Sequence, residues 1–174
     1  MSNTGSYFIS KSGENQTSLS SWSVFDGNLK SELVGGDASI SDFYLDNSDS
    51  LLITSDENLF SILWDYKNAR QIGRFANTEF GQIFFLPSNY FSGTRGAEKL
   101  IYYVLGNRIL TFDQLDIKYN RPDKVLEAIG STDTALIRSY RQAYLKRIKK
   151  LGIDTSSFKE GFTIPEADFT NREQ

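Results

Sequence analysis

The residues that could do chemistry in this chain are its acids, its hydroxyls and a cluster of lysines and arginines, because its 174 residues include no Cys and no His. A Cys-His dyad, a Ser-His-Asp triad and a thiolate zinc site therefore have nothing to be made from. No disulfide can form either, which says little about compartment. No Gly-rich turn after a strand ends in Lys-Ser or Lys-Thr, so a phosphate-binding loop is not expected, and Gly93-Thr94-Arg95-Gly96 reads as a surface turn. The acidic stretch from Asp46 to Glu57 has the length of a calcium loop but carries Leu51 where the sharp-turn Gly is required. Carboxylate pairs could be drawn from Asp42, Asp46, Asp49, Asp56 and Glu57, yet nothing marks a pocket, and solvated turns explain them. The expectation is a chain with no catalytic residue, no metal and no cofactor.

One charged cluster remains. Residues 1–110 hold 8 basic and 12 acidic side chains, and residues 111–174 hold 11 and 10, within a net charge of -3. Much of the second basic set falls on a helix expected over Thr134 to Leu151, including Arg138, Arg141, Lys146, Arg147, Lys149 and Lys150. Cations near a helix C-terminus complement its dipole without any ligand. Lys146, Arg147, Lys149 and Lys150 are also the residues that would meet an acidic protein surface or another anion, although nucleic acid is not the expected partner.

The elements that position these residues differ between the two parts of the chain. From Ala38 to Phe75 the sequence reads as four short apolar runs, Ile40 to Leu45, Leu51 to Ser55, Leu59 to Trp64 and Gln71 to Phe75, separated by polar turn formers. Such short intervals favour antiparallel hairpins. Before it, Tyr7 to Lys11, Ser20 to Val24 and Leu29 to Val34 fit the last three strands of a similar unit, with Asp26-Gly27-Asn28 as a hairpin turn. Trp22 then corresponds to Trp64, 42 residues later, and each is followed eleven residues on by a large apolar residue, Leu33 or Phe75. Tryptophans in unrelated strands of a β-sandwich would be the plainer explanation.

After Asn77 a third unit is expected to begin at Gln82 to Leu86 and to resume in EKLIYYVLGNRILTF, with Gly106-Asn107 as its hairpin turn. Pro122 suits the first turn of a short helix and Gly130 its end, and Ser131, Thr132 or Asp133 can cap the next. That helix carries Ile137, Tyr140, Tyr144, Ile148 and Leu151 as an apolar stripe facing a core. Residues 154–174 read as a tail or interdomain linker that Phe158, Phe162 and Ile164 would tack onto the body.

The spacing of Trp22 and Trp64, with ITSDENLFSILWDYKNARQIGRF as the most specific piece, resembles WD-repeat propellers, whose period is roughly 40 to 45 residues. The pattern departs from that family where Gly35-Gly36-Asp37 replaces Gly-His and where Trp22-Ser23 stands in place of the Trp64-Asp65 type of pair. A His-centred network is excluded, so apolar packing is expected to hold the blades. From roughly Glu98 to Pro165, YYVLGNRILTFDQLDIKYNRPDKVLEAIG followed by LIRSYRQAYLKRIKKLGI looks like the segment joining an N-terminal propeller to a caspase-like peptidase domain in bacterial multidomain proteins. Within Asn120-Arg121-Pro122-Asp123, Pro122 starts a helix and Asp123 favours its positive end.

The expected fold is mainly β with a C-terminal helical segment: a partial, antiparallel, WD-repeat-like propeller over 1–112, one full blade and two partial ones, two helices over 113–153, and the tail. The expected function is that of a non-catalytic interaction or scaffold module, docking with a protein partner or with itself through open blade faces. The alternatives are a regulatory part in a caspase-like peptidase system, acting with another chain, and an anion- or nucleic-acid-binding module working through the basic helix. No segment has the length or apolarity of a signal peptide or membrane span, so a cytoplasmic chain is expected.

Overall fold

The computed structural model describes residues 1–154 except 37, 59, 98–100 and 106. Three antiparallel sheets precede three helices. The first sheet is β1 (Tyr7–Ser12), β2 (Ser18–Ser23) and β3 (Leu29–Val34), paired in chain order. A six-stranded sheet follows, again in chain order: β4 (Ile40–Leu45), β5 (Leu51–Asp56), β6 (Phe60–Asp65), β7 (Arg70–Thr78), β8 (Gly81–Phe85) and β9 (Phe91–Gly93). A two-stranded ribbon, β10 (Tyr102–Leu105) and β11 (Arg108–Thr111), leads into α1 (Phe112–Tyr119), α2 (Pro122–Ala128) and α3 (Thr134–Leu151).

The two larger sheets share one apolar cluster. Leu19 and Leu33 come from the first, and Ile40, Leu52, Ile62 and Trp64 come from the second. A Cβ on Gly35 would lie 3.0 Å from the Trp64 ring, so a side chain there would press on the indole where the chain passes from β3 to β4. Lys11 Nζ donates to the Ser41 carbonyl at 2.9 Å, and Arg74 donates to the Gly35 carbonyl at 2.9 Å, which ties the sheets at their margins.

The internal repeat extends to individual hydrogen bonds. Trp22 and Trp64 each occupy the fifth position of their strand, and each sits at a β-bulge against the following strand. Trp22 faces Phe8 and its indole N–H donates to Ser10 Oγ, two residues further along β1, at 3.0 Å; Trp64 faces Leu52 and donates to Thr54 Oγ1, two residues further along β5, at 3.1 Å. Apolar packing is therefore joined by an indole-to-hydroxyl bond at the same place in each unit, buried in the second and partly buried in the first. The turns repeat too. Ser2 N donates to Tyr7 O at 2.8 Å as Asp46 N does to Leu51 O at 2.9 Å, and Gly5 N to Ser2 O at 3.0 Å as Asp49 N does to Asp46 O at 3.0 Å.

Several expectations are corrected. The strand from Gln82 onward does not open a separate blade: β8 is hydrogen-bonded to β7, because only Glu79 and Phe80 separate the paired Thr78 and Gly81, too short a loop for anything but a hairpin. Three helices stand where two were expected, since α1 follows β11 with no Gly or Pro between them to announce it. The stripe on α3 does not face a core along its length. Ile148 is buried, Ile137 and Tyr144 are partly covered, and Tyr140 and Leu151 are exposed. The helix packs on α2, which at about 1.5 Å per residue is less than half its length. Gly106 of the expected ribbon turn, Asp37, Leu59 and the tail from 155 onward lie outside the described residues.

Candidate functional site

Three surfaces and one buried junction are the candidate sites. The junction forms where the chain leaves β9 and the helices begin. Arg121 donates from its backbone to Phe91 O at 3.0 Å, and its guanidinium grips the Asp123 carboxylate with two bonds, Nε to Oδ1 at 2.9 Å and an Nη to Oδ2 at 2.7 Å. Tyr144 of α3 lies beneath the guanidinium, 4.0 Å from ring centroid to Cζ, and Tyr90 stands at 5.8 Å. Asp123 is 0% exposed. Burial opposes its ionisation, but the hydrogen bonds and charge of Arg121 prevail and hold its carboxyl below the usual range. Arg141 of α3 reaches the same carboxylate at 3.6 Å and also pairs with Glu127. Pro122 occupies the first helical turn as its type requires. This cluster locks sheet, α2 and α3 together; its groups are consumed by one another, so its chemistry is structural.

Asp133, one of the three expected caps, caps α3, its Oδ1 accepting from Leu136 N at 2.9 Å. At the other end, Arg147, one of the residues expected to meet a partner, pairs with the buried Asp116. Lys146, Lys149 and Lys150 are exposed on the last two turns. Asp65 closes the turn after β6, accepting from Asn68 N at 3.3 Å and Asn68 Nδ2 at 2.8 Å. Ser23 substitutes for it one repeat earlier, its Oγ accepting from Asp26 N at 3.4 Å.

A cleft of about 470 Å³ opens between the two larger sheets, lined by Tyr7, Tyr66, Ser21, Ser31, Lys30 and Lys67 among others. The Tyr7 and Tyr66 rings stack at 5.5 Å, and burial raises the pKa of both phenols. Asp49, at its edge, accepts from Asn3 N at 3.0 Å and Thr4 N at 3.3 Å, bonds that hold its carboxyl below the usual range. Its acid is thus engaged in a turn and not poised as a base.

The third feature is apolar and open. Phe8, Trp22 and Leu29 lie in register across the first sheet, on the face turned away from the shared cluster. Phe8 is 43% exposed and stacks on the half-buried Trp22 at 6.5 Å, whereas the equivalent Leu52 and Trp64 are 0% and 3% exposed. The sequence did not distinguish the two tryptophans; the difference comes from whether another sheet covers the face. On the ribbon, Tyr102, Val104 and Ile109 are also exposed. Among the described residues no helix is long and apolar enough to cross a membrane. A scan against models of known protein families gives no match, and neither does a search of curated proteins.

Proposed function

We infer that the chain is a non-catalytic protein-docking module, a piece of a WD-repeat-like propeller carrying the helical segment that resembles the linker to a caspase-like domain. The observation that carries this reading is the repeat, offset by 42 residues at the tryptophans and their bulges and by 44 at the hydroxyl acceptors and turns, in which two stacked antiparallel sheets share the bulge, the indole-to-hydroxyl bond and the turn bonds described above. Propeller blades stack face upon face, and a blade with one neighbour leaves an apolar face uncovered. The open Phe8-Trp22-Leu29 face is such a surface, and contiguous exposed apolar residues of this kind mark association sites. The engagement of Arg147 in an ion pair with the buried Asp116 makes the end of α3 a poorer anion site than its composition suggested.

Sedimentation velocity over about 1 to 100 µM tests the reading, since self-association makes stability and mass depend on concentration. The wild-type chain is expected to associate, and a Phe8→Ser, Leu29→Ser variant to shift toward monomer. A monomer throughout that range with a single cooperative unfolding transition would overturn it.

A further inference from the structure

The repeat also says what is missing from the first sheet. β5 lies between β4 and β6, but β1, its counterpart, pairs among the described residues with β2 alone. The turn that joins β4 to β5 has its counterpart in residues 2–7, including the bond from Tyr7 N to Ser2 Oγ at 3.2 Å that matches Leu51 N to Asp46 Oδ1 at 2.7 Å. Val24 N to Ser6 O at 3.0 Å likewise matches Tyr66 N to Ser50 O at 2.8 Å. The turn that follows β4 and the strand beside it in the second unit both have counterparts in the first, and no described residue occupies the strand position itself.

We propose that the edge of β1 left unpaired among the described residues is a docking groove for one extended, antiparallel polypeptide strand with the side-chain alternation of β4, supplied by a protein partner. This deepens the docking reading above, on which it rests, by naming the partner's chemistry. The parity of the edge follows from the bonds on its other side. Ser6 O bonds Val24 N toward β2, and alternation in an antiparallel ladder then turns Phe8 and Ser10 toward β2 and Ile9 and Lys11 toward the empty side. An added strand would satisfy the N–H and C=O groups of Ile9 and Lys11, the mode by which peptides extend exposed sheets. Specificity comes from alternate side chains. In β4, Leu45 stands opposite Leu52 and Phe43 opposite Thr54 on the Trp64 side of the sheet. Their counterparts in a bound strand would stand beside Phe8 and Ser10 and extend the half-covered Phe8-Trp22 face.

The probe is the synthetic peptide ASISDFYLDN, residues 38–47 of this chain, added to the full-length protein and followed by amide hydrogen exchange. Saturating peptide is expected to slow exchange at Ile9 and Lys11 by at least about tenfold while leaving Phe8 and Ser10 unchanged, since the latter are already bonded to β2. A peptide carrying F43D and L45D should bind at least about tenfold more weakly. Lys11→Pro, which deletes one outward N–H at a position an edge strand tolerates, should weaken binding by a similar factor while Lys11→Ala does not. Absence of protection, or protection without the alternation, would overturn the proposal. So would protection of Ile9 and Lys11 that rises with protein concentration alone, which would assign the edge to a second copy. Failure here with persistent association through the Phe8 face would leave the docking reading standing.

Discussion

At the residue scale, Arg121 and Asp123 show how a short motif can be read correctly and still incompletely. Pro122 and Asp123 suit a helix start on type alone, and this was legible in the sequence; the burial of Asp123 and the grip of Arg121 were not, because they depend on Tyr90 and Tyr144 arriving from distant elements. Removing one partner of such a pair leaves the other charge buried without compensation. Arg121→Ala is expected to cost about 3 to 5 kcal/mol in urea unfolding, whereas a double change to Arg121→Met and Asp123→Leu should recover most of that loss. Equal losses in the single and double variants would mean that the guanidinium acts through its packing on Tyr144 instead. The two tryptophans separate in the same way. Trp64→Ala should cost about 3 to 5 kcal/mol and Trp22→Ala less than about 2, because only Trp64 is enclosed.

At the element scale, period-two apolar runs and polar turns made the strands readable, and β3, β4 and α3 have the bounds expected of them. What could not be read was pairing. Whether β8 joins β7 or starts a new unit depends on a two-residue loop whose residues, Glu79 and Phe80, carry no strong turn signature. The turn between β6 and β7 offers a measurable consequence of the repeat. Ala69 has φ 49°, in the left-handed region, at the position where the first unit places Gly27 with φ 71°. A Cβ costs about 1 to 2 kcal/mol there, partly offset by the greater freedom glycine loses on folding. Ala69→Gly should therefore stabilise the chain by about 0.5 to 1 kcal/mol and Gly27→Ala should destabilise it. Destabilisation by Ala69→Gly would show that the two turns are not equivalent.

At the scale of the whole molecule, acid carries the pH dependence of stability. Asp46 is held down to about 2 by hydrogen bonds from the Ser48 side chain and the Leu51 and Ser50 backbone, Asp49 is lowered by the Asn3 and Thr4 bonds, and Asp123 by Arg121. Each folded pKa lies below its unfolded value near 3.9, so the stability it adds is complete above that value and is lost as pH falls through the folded one. With no His in the chain, no imidazole titrates between pH 5 and 8. Thermal midpoints are therefore expected to stay level from about pH 6 to 8, to decline from about pH 4, and to keep falling toward about pH 2. Because Asp46 and Asp49 tie the turn before β5 to itself and to the N-terminal turn, an Asp46→Asn, Asp49→Asn variant should start lower at neutral pH and decline less steeply in acid. A wild-type profile with its main transition near pH 6, or a variant as steep as the wild type, would show that these turn carboxylates do not govern how the two stacked units come apart.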